Sequence, residues 1–462
     1  MSFVYEKFDW KEQNGSLVMN FFYSISPDLT FTHKVTVPSF DLPSSASTYL
    51  DNLVFHLGLI EMFSYWKLTA SAQITIKAGF LDEKQTAWWK KLLIKGMGEF
   101  FYKNNIDPKK VSEEIRFSFS DGADGGVPRQ RAAYIFGRTR AGRKAAAESE
   151  KGKEYLLLFG GGKDSLVAYE ILKKAGKTIV PLWINPLPNK AEILKSTGLK
   201  EFIEVKRQLD PLLLTLNKKD FLNGHVPFSA SLAFISLIVA ALFKTKYITV
   251  ANEKSADEEN IEYLGSKINH QYSKSFEFES DFNEYIQQYL APDILYFSLL
   301  RPLYELQIAQ AFSKFPKYLQ AFKSCNLYPK LGYWCGHCPK CLSVYLLLSP
   351  FLGIEKTTAI FGKNLFEDKS LLPLFKQLTG DRQPKPFECV ATYAETKVAA
   401  YLCSKALLEK GRPLPYLLDN FWQPLPQPNS YPELAKKILS NFSKKNFIPA
   451  NLEGTVKQIL NL

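Results

Sequence analysis

The chain has 462 residues, of which 46% are hydrophobic and 23% charged, an ordinary globular composition that excludes a disordered or fibrous protein. At ~100–200 residues per domain, the length predicts two or three domains. The net charge of +12 favours anionic partners, such as nucleotides, nucleic acid, sugar phosphates or acidic lipid, without choosing among them. Six cysteines are too few for a disulfide scaffold, and the three within residues 335–341 indicate a metal site in a reducing compartment.

No segment of the sequence has the pattern of a signal peptide or a membrane span. The first ten residues carry Glu6, Lys7 and Asp9 and lack the apolar core of a secretory signal. The longest mostly apolar run, 228–243, is shorter than the ~20 residues that a spanning helix needs. We therefore expect a soluble, cytoplasmic protein without a membrane partner, in which this run forms a buried helix.

Residues 1–127 are expected to form an α+β domain. Alternating apolar and polar residues predict strands at 17–24 and 30–37, and apolar residues at helical spacing predict a helix over 82–104. We find no catalytic motif in this region. The next stretch, 128–153, has eight Lys or Arg against two Glu, which is typical either of a solvated linker or of an arm that covers an anionic ligand.

From residue 154 to about 345, short apolar runs alternate with helical patterns. The predicted strands cover 155–159, 179–184, 202–205 and 247–251, and the predicted helices cover 165–174 and 228–243. This alternation predicts an α/β fold with a doubly wound, Rossmann-like parallel sheet. Ligands of such sheets bind beyond the carboxyl ends of the strands, where the loops 160–165 and 252–260 qualify. Residues 346–462 are predicted to be mostly helical.

The first of these loops joins a predicted strand to a helix and is rich in glycine. It consists of Gly160, Gly161, Gly162, Lys163, Asp164 and Ser165. Glycines let the backbone turn tightly, and the amide groups of such a loop and of the following helix form a site for anions. Lys163 adds a cation, Asp164 can hold a magnesium ion, and Ser165 can donate to a phosphate, so we expect the loop to bind a nucleotide and Lys163 and Asp164 to take part in catalysis. The structural alternative is a turn without a ligand.

The glycine loop is not a Walker A motif, because Asp164 stands where Ser or Thr should follow Lys163, and Leu157 where the first glycine should be. It resembles instead the Ser-Gly-Gly-x-Asp-Ser loop of the PP-loop ATP pyrophosphatases, with Gly160 in place of the first Ser. This resemblance implies a PP-loop core that cleaves ATP between the α and β phosphates and transfers AMP to a carboxyl or carbonyl oxygen. The change to Gly160 removes one hydroxyl donor.

Four cysteines have a spacing that suits a metal site. They are Cys325, Cys335, Cys338 and Cys341. Their thiolates can close a tetrahedral zinc site, and the same residues can hold an iron–sulfur cluster or remain free thiols. His337 is either a substitute ligand or a solvent-facing turn residue. The arrangement resembles the structural zinc site of the 7-cyano-7-deazaguanine synthases, which are also PP-loop enzymes.

Six further stretches, together with the glycine loop and the cysteines, carry a more specific resemblance. They read HLGLIEM (56–62), SYWK (64–67), ANEKSAD (251–257), NHQYSKS (269–275), YFSLLRP (296–302) and PFECV (386–390). Over residues 50–400 the set resembles the MurL family, the UDP-N-acetylmuramoyl-L-alanyl-L-glutamate epimerases. The resemblance implies an isomerase of peptidoglycan precursor synthesis that uses ATP and magnesium to invert the terminal L-glutamate of a UDP-muramoyl dipeptide, through an adenylated carboxylate.

Polar residues in the second switch-point loop and after it are candidates for proton transfer. Glu253 and Asp257 could be proton carriers or magnesium ligands, or else solvated loop carboxylates. His270 and Lys274 follow at helical spacing and are acid–base candidates, with a cap or a surface position as the alternative.

Two residues are expected to bind substrate. They are Asn252 and Arg301, the latter either as a bidentate clamp on a carboxylate or diphosphate or as part of a surface ion pair. Cys389, together with Cys325 if that thiol holds no metal, could form a thiol pair across Cα, although isolated cysteines are mostly core residues.

Three other functions fit parts of the sequence. The positive charge suits a PP-loop enzyme that thiolates tRNA or forms lysidine, but we find no recognised RNA-binding module and do not expect a nucleic-acid partner. The cysteines suit a nitrile-forming deazapurine synthase, but the ~150 residues that precede the glycine loop count against it. A nucleotide sensor without chemistry is disfavoured by the intact Lys163, Asp164 and Ser165.

Overall fold

The computed structural model describes residues 2–25, 28–38, 47–119, 155–423 and 430–461. The predicted basic linker, 128–153, lies outside the described residues, so its two interpretations stay open. Among the described residues, no helix is both long and apolar enough to cross a bilayer.

Ten strands form one mixed sheet, and two more form a separate hairpin. In chain order the strands are β1 (Ser2–Gln13), β2 (Ser16–Ile25), β3 (Leu29–Pro38), β4 (Gln73–Ile76), β5 (Arg116–Phe119), β6 (Tyr155–Leu158), β7 (Ile179–Ile184), β8 (Ile203–Gln208), β9 (Tyr247–Val250), β10 (Ile261–Tyr263), β11 (Ser266–Ile268) and β12 (Leu295–Ser298). The order across the large sheet is β12-β9-β6-β7-β8-β3-β2-β1-β4-β5, and β10 pairs with β11.

The large sheet has two halves that differ in strand direction. Neighbours from β12 to β8 are all parallel, which confirms the predicted parallel sheet. The strands β1, β2 and β3 are antiparallel to one another, and β4 and β5 add parallel to β1. The halves meet where β3 pairs antiparallel with β8, from Lys34 opposite Gln208 to Thr36 opposite Lys206. One sheet therefore runs across the predicted boundary between the first two domains, and that boundary stays a prediction.

The helices cover the faces of the sheet and form the C-terminal region. In chain order the α-helices of the described residues are α1 (Ser47–Glu61), α2 (Phe63–Trp66), α3 (Glu83–Gly96), α4 (Gly98–Lys103), α5 (Pro108–Glu114), α6 (Lys163–Lys174), α7 (Lys190–Thr197), α8 (Pro211–Leu216), α9 (Phe228–Leu242), α10 (Phe276–Tyr285), α11 (Glu305–Ser313), α12 (Tyr328–Leu331), α13 (Pro339–Leu352), α14 (Ile354–Phe361), α15 (Leu372–Thr379), α16 (Tyr393–Leu408), α17 (Tyr416–Trp422), α18 (Tyr431–Leu439) and α19 (Ala450–Leu460).

Adjacent residues of β6 point into two different cores. Leu156 packs in the core that also contains the N-terminal strands and α9, whereas Leu157 packs in the core that contains α6, α11 and the C-terminal helices. Both side chains are fully buried. Because successive side chains of a strand face opposite ways, a strand covered on both faces reads as a continuous apolar run, which is why the sequence revealed β6.

Two predicted helices differ from the structure at their ends or in their middle. The predicted helix over 82–104 is interrupted at Met97, between α3 and α4. At this break Gly96 lies against Pro227, and a Cβ on Gly96 would come within 2.9 Å of the proline ring, so close packing requires glycine here. The helix predicted from residue 165 begins at Lys163, which includes two residues of the glycine loop in its first turn.

Sequence analysis missed six short or atypical strands. They are β1, β4, β5, β10, β11 and β12. The outer half of β1 is exposed and charged, and the others have only three or four residues, so none gives a strong period-2 or continuous apolar signal.

Candidate active site

The candidate site lies where the order of the parallel strands changes direction. The strand β6 has β7 on one side and β9 on the other, so the loops that follow β6 and β9 leave the same edge of the sheet next to each other. The first loop is the predicted glycine loop, and the second begins with Asn252 and Glu253. The two loops that the sequence singled out are thus neighbours at the switch point.

The glycine loop has a backbone that excludes side chains at two of its three glycines. Gly161 has a positive φ of 73°, and a Cβ there would lie 3.0 Å from the Trp183 ring. A Cβ on Gly162 would lie 2.8 Å from the hydroxyl of Ser324, whereas Gly160 faces open space. The loop is therefore held tightly on one side and open on the other, as a backbone site for an anion requires.

Behind the loop, buried charges form a connected ion-pair network. The Lys163 ammonium lies 2.6 Å from an Asp164 oxygen and 3.0 Å from Glu305, and Lys340 lies 3.4 Å from the same Glu305 oxygen. Although burial raises the pKa of Glu305, the charges of Lys163 and Lys340 lower it to about 2. Burial likewise opposes the charge on Lys163, but Asp164 and Glu305 raise its pKa. Lys163 is therefore a fixed buried cation behind the loop.

Glu253 and Asp257, which the sequence treated alike, occupy different environments. Glu253 follows β9 and is buried, and burial, opposed by the charge of Lys274, raises the pKa of Glu253 to about 7. Asp257 is exposed and accepts a hydrogen bond of 2.7 Å from the amide of Phe276 at the start of α10. The structure therefore gives Asp257 a capping contact and leaves Glu253 as the buried carboxylate with a pKa near neutrality.

His270 and Lys274, which follow at helical spacing in the sequence, lie in a turn and a short 3-10 helix rather than on one α-helix. His270 is in a turn, and Lys274 ends a short 3-10 turn, Tyr272–Lys274. Both residues nevertheless act on one thiol: the Lys274 ammonium donates to Cys389 Sγ at 3.1 Å, and His270 is near enough to Cys389 for each to shift the pKa of the other. The His270 ring contacts Glu99 in α4, whose Oε2 lies 2.5 Å from His270 Nδ1.

The cations around Cys389 favour its thiolate. Although burial raises the pKa of the Cys389 thiol, Lys274 and the nearby His270 lower it to about 5, with a further contribution from Lys340. Burial lowers the pKa of His270, but the nearby Cys389 and Glu99 raise it to about 9. At neutral pH this is a thiolate paired with an imidazolium and an ammonium.

The two predicted substrate-binding residues lie at the site in different ways. The Arg301 guanidinium is buried, pairs with Glu279 at 2.8 Å, and donates to the backbone carbonyls of Glu253 and Lys274. Arg301 also lies 3.8 Å from the exposed Asp257, so the buried guanidinium faces one buried and one surface carboxylate, and its donors orient two segments of the site. The backbone carbonyl of Asn252 accepts from the Ser298 hydroxyl at 2.5 Å, which ties the second loop to β12.

The four cysteines converge at the start of α13. The Cys325 and Cys338 sulfurs are 4.0 Å apart, those of Cys335 and Cys341 are 3.6 Å apart, and all four lie within 4.8 Å of one another. A tetrahedral zinc ion with Zn–S bonds of ~2.3 Å places its sulfurs ~3.8 Å apart, so this set fits the ion. The His337 side chain is exposed and its Nδ1 lies 2.9 Å from the Cys335 carbonyl, which favours the turn residue over the substitute ligand.

The cysteine cluster and the candidate site share two segments of chain. Lys340 lies between Cys338 and Cys341 in the sequence, so closing the cluster fixes the backbone that carries this lysine. Cys325 follows Ser324, the residue that packs against Gly162. The cluster is therefore linked along the chain to Lys340 and to the residue that packs against Gly162.

Comparison with known proteins finds two family descriptions that match the chain. The MurL N-terminal domain matches residues 1–299, and the MurL C-terminal domain matches residues 321–414. The chain belongs to the MurL family.

Three relatives of the chain carry the name UDP-N-acetyl-alpha-D-muramoyl-L-alanyl-L-glutamate epimerase, and each is 32% identical to it. The protein from Xanthomonas oryzae pv. oryzae aligns over 85% of this chain and 84% of its own length. Those from Micromonospora sp. and Salinispora tropica align over 81% and 80% of this chain, and over 80% and 78% of their own lengths. No solved structure matches the chain.

Some of the motifs that resembled the MurL family lie in the buried interior away from the glycine loop. His56 in α1 bonds the Asn52 carbonyl at 2.8 Å and the Tyr285 hydroxyl at 2.9 Å. Glu61, at the end of α1, accepts a bidentate pair of bonds from Arg207 on β8, at 2.9 and 2.6 Å. The polar residues of this MurL motif thus join α1 to the rest of the fold.

Three residues of this MurL site were missed as chemical candidates. Lys340 lies between Cys338 and Cys341, and Glu305 lies four residues beyond Arg301, so both are close in sequence to residues that the sequence analysis named. Glu99 gave no sequence signal, because it belongs to a predicted amphipathic helix and meets His270 only through tertiary packing.

Proposed function

We propose that this chain is an ATP-dependent epimerase that converts the terminal L-glutamate of UDP-N-acetylmuramoyl-L-alanyl-L-glutamate to D-glutamate, with release of AMP and diphosphate. The family and the names of the three relatives support the reaction class and the substrate. The observation that carries the ATP-dependent route is that a backbone site for anions and the buried Glu253, with a pKa near 7, share one switch point.

The chemistry of the substrate explains why ATP would be needed. The glutamate nitrogen lies in a peptide bond, so a pyridoxal Schiff base cannot form. The Cα proton is very weakly acidic because its carbanion would stand beside a free carboxylate. Adenylating that carboxylate removes the negative charge, a base then takes the Cα proton, and return of a proton to the other face inverts the centre. Hydrolysis of the activated acyl group restores the acid.

The glycine loop is the proposed site of the first step. Its amide groups and the N-terminus of α6 would bind the phosphates of ATP, and Ser165 would donate to one of them. Asp164, only partly buried at the start of α6, is the residue that would hold a magnesium ion. When bound there, the ion would neutralise phosphate charge. Lys163, fixed between Asp164 and Glu305, would stabilise the charge that develops as diphosphate leaves.

Glu253 is the proposed base for the Cα proton. It is buried, and the charges of Lys274, Glu305, Asp164 and Lys340 all act on its pKa, so it shares the electrostatic environment of the glycine loop. A pKa near the working pH suits a group that both accepts and returns a proton. Asp257, which is exposed and accepts from the Phe276 amide, is not the residue that we propose for this role.

Zinc is the proposed occupant of the cysteine cluster, with a structural role. Four sulfur ligands would close the site and leave no open position for a substrate. The reaction belongs to peptidoglycan precursor synthesis, and its partners would be ATP and the UDP-linked dipeptide in the cytoplasm. No described residue forms a feature that favours the RNA-modifying alternative.

Isotope exchange tests the proposed function directly. With UDP-N-acetylmuramoyl-L-alanyl-L-glutamate, ATP and magnesium in heavy water, we expect a D-glutamyl product with deuterium at Cα, together with AMP and diphosphate. Omitting ATP should abolish both label and inversion, and a substrate whose α-carboxyl is blocked as an amide should stay unlabelled. Inversion without cleavage of ATP would contradict the proposal.

Variants of the glycine loop should separate activation from folding. We expect Asp164→Asn and Ser165→Ala each to slow diphosphate release by ~100-fold, because one lost phosphate contact typically costs ~3 kcal/mol of transition-state stabilisation. Lys174→Gln is the matched control, since Lys174 is exposed at the far end of the same helix. Full activity in both loop variants would remove the loop from the mechanism.

A further inference from the structure

The thiol of Cys389 lies in an arrangement that carboxylate adenylation alone does not use. Cys389 accepts a hydrogen bond of 3.1 Å from the Lys274 ammonium, and the nearby His270 has its ring nitrogen 2.5 Å from the Glu99 carboxylate. A thiol beside an ammonium and beside an imidazole that a carboxylate orients is the arrangement that activates cysteine nucleophiles.

Glu99 is held firmly as the carboxylate of this arrangement. It is buried, with only 4% of its surface exposed. Its second oxygen pairs with Lys103 one turn further along α4, and His225 lies 3.8 Å from the oxygen that binds His270. A buried carboxylate with these partners fixes the position of the His270 ring.

Cys389 is also connected to the glycine loop. Lys340 donates to the backbone carbonyl of Cys389 and pairs with Glu305, and Glu305 pairs with Lys163 next to Asp164. This chain of direct contacts joins the backbone of the thiol residue to the loop proposed to bind ATP. An acyl group activated at the loop would thus be formed close to a cysteine sulfur.

The charge state of Cys389 favours nucleophilic attack by its sulfur over proton transfer. Lys274 donates to the sulfur at 3.1 Å, and with His270 it lowers the pKa of the thiol to about 5. A thiolate of such low pKa is a weak base but is present in full at neutral pH, whereas Glu253, with a pKa of about 7, is better matched to a proton. The two groups therefore suit two different steps.

We propose that Cys389 is a covalent nucleophile, whose sulfur takes the glutamyl acyl group from the acyl-adenylate so that inversion occurs on a thioester. This inference rests on the proposed function. The Cys389 thiolate attacks the acyl carbon and forms the C–S bond, the C–O bond to AMP breaks, and AMP leaves with the electron pair. After the Cα proton is removed and returned on the opposite face, water cleaves the C–S bond. The products are the D-glutamyl acid, the thiolate and one proton released to solvent, so each inversion consumes one ATP and one water.

A thioester also meets the chemical need of the reaction. Sulfur donates less into the carbonyl than oxygen does, so the Cα proton beside a thioester is far more acidic than one beside a carboxylate. A covalent bond additionally keeps the acyl group in place while the proton changes faces, when a bound adenylate could be lost to water. The covalent step splits one difficult reaction into two easier ones.

The decisive experiment is to trap the acyl-enzyme. The enzyme is mixed with substrate, ATP and magnesium, and samples are quenched in acid at several times within the first turnover. The mass of the intact protein is then measured by mass spectrometry. We expect an adduct of substrate mass less one water, which maps to Cys389 after proteolysis and is released by hydroxylamine. In Cys389→Ala we expect diphosphate release and an acyl-adenylate, no adduct, and Cα exchange slower by ~1,000-fold or more.

Cys403→Ala is the matched control, because Cys403 is the other cysteine outside the cluster and is buried in the C-terminal core. It should form the adduct as the wild type does. If Cys389→Ala fails to fold, alkylation of the wild type replaces it: iodoacetamide at pH 6.5 should label Cys389 before Cys403, and substrate with ATP should protect Cys389.

The outcomes separate this inference from the proposed function. Wild-type inversion with diphosphate release but no adduct at any quench time overturns the thioester alone, as does an adduct on another residue. Folded Cys389→Ala with substantial Cα exchange does the same. Absence of diphosphate release and of inversion in the wild type would instead overturn the proposed function.

Discussion

Single residues of the site owe their chemistry to burial rather than to residue type. Glu253 and Asp257 are carboxylates of one loop, four positions apart, yet Glu253 is buried, which raises its pKa to about 7, whereas the Asp257 side chain is exposed. The difference comes from the chain direction after β9, which turns Glu253 inward and Asp257 towards the start of α10. Residue type alone therefore could not have separated a base from a cap.

The raised pKa of Glu253 predicts how activity depends on pH. The base must be ionised, so the rate of Cα exchange should rise with pH up to about 7 and then level off. In Glu253→Gln the exchange should fall by ~100- to 10,000-fold, the usual contribution of a positioned base, while diphosphate release persists. The measurement is deuterium exchange at Cα from pH 5.5 to 8.5.

The same carboxyl affects stability with a defined sign. Because the folded-state pKa of Glu253 lies above that of the unfolded chain, its protonated form contributes stability that is lost as pH rises through about 7. Glu253→Gln should therefore unfold at a higher urea concentration than the wild type at pH 8, and nearer to it at pH 5.5. Glu259→Gln, an exposed carboxylate of the same loop, should change neither the exchange rate nor this pH dependence. An unaltered pH profile in Glu253→Gln would contradict the assignment.

At the scale of elements, the N-terminus of α13 serves the cysteine cluster and the candidate site together. Cys338 is the N-cap residue of α13, and Lys340 and Cys341 both lie in its first turn. The helix turn therefore presents two sulfurs to one side and an ammonium to the other. Fixing the turn through a metal would position Lys340 without using any residue of the glycine loop.

Elemental analysis should find about one zinc ion per chain, since four thiolates complete a tetrahedral site. Cys338→Ser should lower both the zinc content and the melting temperature, because a site closed by four ligands contributes to folding. It should lower stability more than it weakens ATP binding. Cys403→Ala should keep its zinc. Metal-free protein of unchanged stability would contradict the zinc assignment, and iron in place of zinc would indicate an iron–sulfur cluster.

At the scale of the whole molecule, one buried ion pair helps to join the two halves of the sheet. Glu61 ends α1, which packs beside the N-terminal strands, and Arg207 lies on β8 next to the seam with β3. Glu61 is fully buried, and His33 on β3 lies 3.5 Å from it. Burial lowers the pKa of His33 to about 4, so the histidine is neutral and Arg207 supplies the positive charge.

Removing one partner of this pair should destabilise the protein strongly. Arg207→Met leaves the Glu61 carboxylate buried without its cation, which typically costs ~3–5 kcal/mol. The double variant Glu61→Gln, Arg207→Met should recover part of that loss, because no charge then remains. Urea unfolding measures both. Lys206→Met, an exposed neighbour on β8, should unfold like the wild type. Equal stability of Arg207→Met and Lys206→Met would contradict a joining role for the pair.

The sequence by itself determined the features that depend on short stretches of chain. The buried strand β6, the glycine loop after it and the start of a helix are adjacent in sequence, so local patterns predicted both the parallel sheet and the loop at its edge. The cysteine spacing predicted the cluster in the same way, because three of its four members lie within seven residues. The family resemblance likewise followed from contiguous motifs.

Only the tertiary structure decided which distant residues meet. Glu99 and His270 are 171 positions apart, and nothing in either segment signals their contact. Arg301 has the guanidinium group that a substrate clamp needs, but packing places this group against Glu279 and two backbone carbonyls. Lys274 and Cys389 are likewise distant in sequence, and only packing brings the Lys274 ammonium to the Cys389 sulfur. Such contacts arise from how helices and strands pack, and packing depends on the whole core rather than on any local period.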